Sequence, residues 1–417
     1  MAPRLLLFAA TTGYQIRVFE EAARLLGVDL TLATDRCHVL EDPWGDRAVA
    51  VRFGDVAASM QALRGRQFDA VAAVGDSPAV LAAEAAAVLG IPFHPPAAVR
   101  ACHDKYLARQ LFQAAGLPVP QFFRVVLAEG SELAARRAPY PCVLKPLGLS
   151  ASRGVIRAND AEEFRAAFAR IATLLDKSPD IRMAREEQNH YLQVETYIPG
   201  REFAVEGIMT HGAVRIFAIF DKPDPLEGPF FEETIYVTPS RESAAVQQSM
   251  REMVERAVRA LGLYHGPFHA ELRCNEGGVW MLEVAARPIG GLCSKALRFG
   301  DGSPLEEVVL RHAIGEDIAG IQAADSASGV MMIPIPRAGV YEGAGGIDEA
   351  RAVAGVEEVI VTAKAGQTLT PLPEGASYLG FIFARGGDAA GVERALRQAH
   401  AKLSFRVARA LPTMSAR

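Results

Sequence analysis

The chain has 417 residues, 50% of them hydrophobic and 22% charged, with a formal net charge of -5. That length leaves room for about three domains, and the composition is that of a soluble globular protein. The charge balance, with no long basic run, argues against nucleic acid as the main partner. No stretch approaches the ~18–20 consecutive apolar residues of a membrane span. Cys37, Cys102, Cys142, Cys274 and Cys293 are odd in number, widely spaced and without a C-x-x-C pattern, so they read as reduced thiols. The early apolar run LLLFAA is too short for the core of a signal peptide. Together these features predict a cytoplasmic protein with neither nucleic acid nor membrane as a partner.

Residues 4–95 alternate strands with helices. An apolar strand over 4–10 ends in Thr11-Thr12-Gly13, and Ile16, Phe19, Ala23 and Leu26 give residues 14–26 a helical spacing. Strands follow at 28–33 and 48–53, then a helix at 56–63, a strand at 70–74 and an Ala-rich helix that Pro78 can start. This alternation predicts a doubly wound parallel sheet. The Thr11-Thr12-Gly13 turn lacks the full G-x-G-x-x-G of a dinucleotide site and reads as a tight turn. Pro95-Pro96 marks the first boundary. A helix over 97–115 carries His103-Asp104-Lys105 and stops at Gly116-Leu117-Pro118. Then come a strand at 121–126, a helix at 131–137, a strand at 142–145, the loop GLSASRG over 148–154, a strand at 155–157 and a helix at 161–175. A polar stretch over 176–188, a strand at 190–195 and a hairpin of strands 202–209 and 213–220 follow. Residues 221–240 are proline-rich, with one β run at 233–237, and a helix over 243–261 comes next. A second hairpin pairs 270–274 with 279–285 through Asn275-Glu276-Gly277-Gly278. A helix over 304–314 leads to a last hundred residues of short strands and one helix.

The second hairpin carries one acidic residue in each apolar strand, Glu271 and Glu283. A carboxylate inside a strand is costly to bury unless a cation or water meets it. With Arg287 and Gly290-Gly291 just beyond, the pair reads either as a magnesium–phosphate site or as two glutamates facing water. The loop 148–154 joins two strands, unlike a Walker loop, which opens a helix. Its glycines and serines still offer N–H and hydroxyl groups to phosphate oxygens. Lys145 would set an ammonium beside the same phosphates, with Lys105 upstream as a second; the alternative is a lysine snorkelling at a strand end. The segment 193–203, QVETYIPGREF, reads either as a hinge that meets an adenine edge and ribose hydroxyls or as a plain turn with solvated glutamates. His269 shares a strand face with Glu271. Cys293 shows no partner that would lower its pKa.

The order Asp104-Lys105, VLKP ending at Lys145-Pro146, SRGV, VETYIPGREF, ELR and EVAARPIGG resembles the ATP-grasp superfamily over roughly residues 100–315. Within it, the chain is most similar to carboxylate–amine ligases of the L-amino acid ligase type, which make dipeptides. The resemblance implies a multidomain α/β and α+β chain. Its units would be an N-terminal doubly wound domain (1–96), a central domain with the phosphate-loop subdomain (97–190), an ATP-grasp C-terminal subdomain with hinge and metal site (191–316) and a C-terminal α+β domain (317–417).

Carried over by position, Lys105 and Lys145 contact nucleotide phosphates under a loop containing Ser150, Ser152 and Gly154. Glu195, with the backbone of Thr196 and Ile198, holds adenine, and Glu202 holds ribose. Glu271 and Glu283 bind Mg2+ (or Mn2+), although the family's asparagine two residues after the second glutamate is Ala285 here. Arg287 meets the transferred phosphate or acyl phosphate, acting with Lys145, Gly290 and Gly291 in catalysis, and Gly291 also borders the substrate. The family pattern E-x-x-H-x-x-P falls on Glu233, Tyr236 and Pro239, which puts Glu233 and Tyr236 at the amino acid substrate, with tyrosine where histidine is usual. The implied activity is ATP-dependent joining of a carboxylate to an amine through an acyl phosphate, releasing ADP and phosphate. An ATP-grasp carboxylase or purine-pathway ligase is the near alternative, and a non-catalytic nucleotide-binding module the distant one. The implied partners are small carboxylates and amines, and a second copy of the chain in a homodimer.

Overall fold

The computed structural model describes residues 2–10, 15–35, 47–178, 181 and 187–409. Thr11, Thr12, Gly13, Cys37 and much of the polar stretch 176–188 lie outside them. Among the described residues, no helix is long and apolar enough to cross a membrane.

The alternation over the first ninety residues folds into a four-stranded parallel sheet, in the order Ala48–Ala50, Asp29–Thr34, Arg4–Ala9, Ala70–Val74. Side chains along the inner strand Arg4–Ala9 point alternately to the two faces. Leu5 and Leu7 therefore join one core, with Phe19 of helix Ile16–Leu26. Leu6 and Phe8 join another, with Leu81 of helix Asp76–Leu89. Both cores continue into the strands of the following domain, through Ile208 and Phe220 on one side and Val205 and Phe268 on the other. The N-terminal sheet is thus fixed against the part of the chain that carries the acidic hairpin.

The continuous helix expected over 97–115 is two helices, Pro96–His103 and Lys105–Ala114. Asp104 between them is extended, and its carboxylate accepts from the backbone N–H groups of Tyr106 and Leu107. This is an N-cap, which favours a fresh helix start over continuation. The break places Lys105 on the first helical turn, with its Nζ 2.5 Å from the carbonyl of Leu149.

A four-stranded antiparallel sheet follows, in the order Phe122–Val126, Tyr191–Thr196, Cys142–Pro146, Ile156–Ala158. Tyr191–Thr196 lies in its interior. The boundary expected at residue 190 therefore cuts this sheet, and the division falls after Thr196. The boundary expected at residue 316 is crossed too. Strands from both sides form one eight-stranded sheet, in which Ile235–Thr238 pairs with Ala327–Ile333. Ala327–Ile333 is buried at every position, as a strand covered on both faces should be. The four-stranded sheet forms the roof of a cleft whose floor is the eight-stranded sheet.

Candidate active site

Three neighbouring strands of the floor, Arg201–Thr210, Ala213–Lys222 and Gly266–Asn275, set their polar residues in register. Lys222, Glu202 and Arg273 lie side by side in one row. In the next row Glu271 stands opposite Ala204 on one side and Glu283 on the other. In the third, His269 lies between Glu206 and Ala285. The two-residue period of a strand puts Glu202 and Glu206 on one face, and likewise His269, Glu271 and Arg273. Charges buried in this way must satisfy one another.

Lys222 Nζ lies 2.9 Å from Glu202 and 3.2 Å from Glu271, and pairs with Glu233 as well. Glu202 also accepts from Arg273 Nε at 2.8 Å, and the same guanidinium donates to the carbonyls of Ile198 and Leu226. Burial opposes the charge of Glu271, but Lys222 and His269 hold its carboxyl well below the ordinary value. Burial pushes Glu233 up to about 7, with help from the negative charge of Glu271 and against the pull of Lys222. His269 bridges the buried Glu206 and Glu271; against the cost of burial, Glu206 and Glu271 raise it to about 9.

Glu202, Glu233 and Glu271 can each bring one oxygen within 4.8 Å of the others. Three hard carboxylate oxygens suit Mg2+ or a similar divalent cation, which prefers oxygen ligands, so the donor set fits the expected metal. It shares Glu271 with the expected pair. Glu283 faces Glu271 across the ladder, but a bulge follows Glu271, and the nearest cation to Glu283 is Lys105, at 3.7 Å. Ala285 is buried beside His269 and supplies no oxygen.

The cleft between roof and floor encloses about 90 Å³. Lys105, Lys145, Ser150 and Ser152 line it from above, and Glu202, Glu233, Glu271 and Glu283 from below. Gly154 closes the loop at φ +72°, where a Cβ would come 2.7 Å from Pro146; only glycine fits there without a shift. Its N–H donates to the carbonyl of Pro373 in the C-terminal domain, at 2.8 Å. Tyr197 and Phe231 stack with ring centroids 6.3 Å apart, beside Val143, Val155 and Leu226. These side chains give one end of the cleft a flat apolar wall.

Glu195 departs from its expected role at adenine. Its carboxylate is buried and accepts from Arg109 at 2.8 and 3.2 Å, from Gln193 at 2.7 Å and from Lys145 at 2.5 Å. Burial works against its charge, but Arg109 and Lys145 hold it at about 2. Lys145 is thereby tethered at the mouth of the phosphate loop. At the hinge, the Thr196 N–H already bonds Gln121, and the Ile198 carbonyl accepts from Arg273. Tyr236 is 2% exposed, with its ring near Phe220 and its hydroxyl donating to Glu233 at 2.8 Å.

Arg287 pairs with Asp76 of the N-terminal domain at 2.8 and 3.1 Å. Gly290 has open space where a side chain would begin, and at Gly291, φ +64°, a Cβ would meet Phe381 at 3.3 Å. Lys222, Arg273, Arg109 and Asp76 were not singled out from the sequence. The available signal was charge at the same strand parity inside apolar runs: Glu202 with Glu206, and His269 with Glu271 and Arg273.

This fold and cleft define an ATP-grasp protein, and residues 138–296 match the ATP-grasp domain family. Residues 331–408 match the L-amino acid ligase C-terminal domain 2, so the chain carries an ATP-grasp domain followed by that C-terminal domain. The structure is similar to that of an L-amino acid ligase from Bacillus licheniformis, with a TM-score of 0.79 and 25% identity over 97% of this chain and 98% of that one. Among curated proteins, alanine–anticapsin ligase of Bacillus subtilis is 29% identical, covering 45% of this chain and 41% of its own. D-alanine–D-alanine ligase B of Chromobacterium violaceum is also 29% identical, covering 46% and 59%. The chain thus spans less than two thirds of the length of these curated relatives. Phosphoribosylglycinamide synthetase of Anaerococcus prevotii, at 15% identity and a TM-score of 0.69, shares the fold.

Proposed function

We propose that the chain is an ATP-dependent, ADP-forming ligase that joins an amino acid or similar carboxylate to an amine. The observation that carries this reading is the convergence of Glu202, Glu233 and Glu271 within 4.8 Å of one another, in a cleft that Lys105 and Lys145 also line. The apolar wall of Tyr197 and Phe231 suits a nucleobase, and the lysines and the loop 150–154 suit its phosphates. A divalent cation held by the acidic trio would neutralise charge on the phosphoryl group being transferred.

The reaction has two steps. A substrate carboxylate oxygen bonds to the γ-phosphorus as ADP leaves. A neutral amine nitrogen then attacks the acyl carbonyl, phosphate leaves with the electron pair of the broken C–O bond, and the proton shed by the nitrogen passes to that phosphate or to solvent. Both steps gather negative charge on oxygen, which Arg287, Lys145 and loop N–H groups would stabilise. Glu233, steadied by Tyr236, would pair with the α-ammonium of the amino acid that is activated. The alanine and D-alanine in the relatives' names are consistent with a small amino acid at one of the two positions.

The test is phosphate release from ATP across pairs of L-amino acids, with product mass measured in parallel. Amine-dependent release with formation of a dipeptide or amide supports the reading. Release that requires bicarbonate favours a carboxylase, and silence across all pairs overturns the ligase.

A further inference from the structure

Arg287 is held chiefly from outside its own domain. Asp76 opens helix Asp76–Leu89 of the N-terminal domain, where the helix dipole favours a carboxylate independently of any partner. Its two oxygens take the Nε and Nη2 donors of Arg287 at 2.8 and 3.1 Å, and the Pro288 carbonyl takes an Nη1 donor at 3.0 Å. A guanidinium has five N–H groups, so one remains on each terminal nitrogen. The loop that follows is fixed as well. Gln15 of the N-terminal domain, 3% exposed, donates to the Ile289 carbonyl at 2.6 Å, and the Ile289 N–H donates to the buried Glu206 at 3.2 Å.

We infer that Asp76 and Gln15 are positioning residues: the N-terminal domain grips one edge of Arg287 so that its two remaining N–H groups face the oxyanion of the acylated substrate. Two N–H donors of one guanidinium can match two oxygens of one carboxylate or phosphoryl group, and a lysine in this place could not present such a planar pair. The geometry also accounts for a strong ion pair at Arg287 without using up the arginine. The role given to those N–H groups rests on the ligase reading, while the grip itself does not.

The experiment therefore has two readouts. The Arg287 Nε–H resonance, assigned with Arg287→Lys, is expected to exchange slowly in the unmodified chain and to vanish or broaden in Asp76→Asn. In turnover, Asp76→Asn is expected to lose amide formation at least about tenfold, as misplacement of a catalytic group does, with KM for ATP within about twofold. Phosphate released per amide bond formed is expected to rise, because an acyl phosphate without its oxyanion partner is lost to water. Asp76→Glu, which keeps the charge but shifts the edge, serves if Asp76→Asn melts early, and is expected to fall between. Gln15→Leu is expected to raise the same phosphate-to-amide ratio more weakly. An unchanged Nε–H resonance in both Asp76 variants overturns the grip. A kept resonance loss with unchanged amide rate and ratio overturns the positioning role. If the unmodified chain makes no amide with any pair, the ligase reading fails, and the resonance alone decides the grip.

Discussion

The floor and the roof of the cleft hold their charges by different means. On the floor, Lys222, Glu202, Glu271, Arg273, His269 and Glu206 are lined up by backbone register and neutralise one another in the interior of a wide sheet. On the roof, Lys145 is tied to Glu195, and the loop below it is held from outside by residues of the C-terminal domain. Register fixes the floor before any ligand arrives, so it acts as a pre-formed electrostatic template. The roof depends on a few contacts that span domains, which on the proposed reading would suit a part that admits nucleotide and then covers it. Four changes would break or sharpen this contrast.

The largest effect is expected from Lys222→Met. It leaves one buried and two partly buried carboxylates around a missing ammonium, and removing one partner of a buried charge set typically costs about 3–5 kcal/mol. Chemical denaturation should show that loss, and added Mg2+ should recover part of it, since the freed oxygens can hold a divalent cation. Loss without recovery by Mg2+ would mean that the trio is a structural ion cluster and not a metal site.

Glu195→Gln comes next. If the carboxylate served adenine, the change would chiefly raise KM for ATP. Its partners are Arg109 and Lys145, and Arg109 is 2% exposed, so the expected outcome is a stability loss of about 2–4 kcal/mol from an unpaired buried guanidinium. Denaturation and nucleotide affinity measured on the same variant separate the two outcomes.

Acid should act on two parts of the molecule in sequence. His94, His265 and His312 are buried near one another, and burial lowers them to about 4, 4 and 3. A histidine whose folded pKa lies below its unfolded value stabilises the fold only above that unfolded value, near 6.5. Their contribution is therefore lost as pH falls from about 6.5 toward 4. Glu195 is held at about 2 against an unfolded value near 4.5, so its contribution is lost lower, between about 4.5 and 2. Stability measured against pH should fall in two stages. His265→Phe, which removes a ring stacked 4.1 Å from His312 and 4.5 Å from His211, should weaken the first stage and leave the second.

The same contrast explains what could be read from sequence. The parallel sheet was legible because strand and helix periods alternate cleanly, and the acidic hairpin because Asn275 to Gly278 is a strong turn between apolar runs. Lys145 stood out at the end of an apolar strand before a Gly/Ser loop, and Glu233 only through the family pattern E-x-x-H-x-x-P. Lys222, Arg273 and Arg109 did not, because their partners come from pairings of strands and helices 20, 71 and 86 residues apart. Asp76 lies 211 residues from Arg287, and no local period reports such a contact. The single helix expected over 97–115 failed for a local reason: Asp104 competes for the backbone N–H groups ahead of it.

The smallest expected effect concerns the roof. Arg170 forms a two-pronged pair with Glu374 on a C-terminal segment whose carbonyls also accept from Arg153 Nε and from the Gly154 N–H. Arg170 and Glu374 are 45% and 36% exposed, and an exposed ion pair contributes only about 0.2–1 kcal/mol. Glu374→Ala should therefore change global stability by less than about 1 kcal/mol. What it loosens is the anchor of Pro373, and with it the end of the phosphate loop. Hydrogen exchange at Gly154 should speed up while exchange along strand Arg201–Thr210 stays as it was, because that strand is held by the floor's own register. A charge swap, Arg170→Glu with Glu374→Arg, should restore slow exchange at Gly154. Equal exchange in all variants would show that the loop is fixed by its own turn, and that roof and floor are held alike.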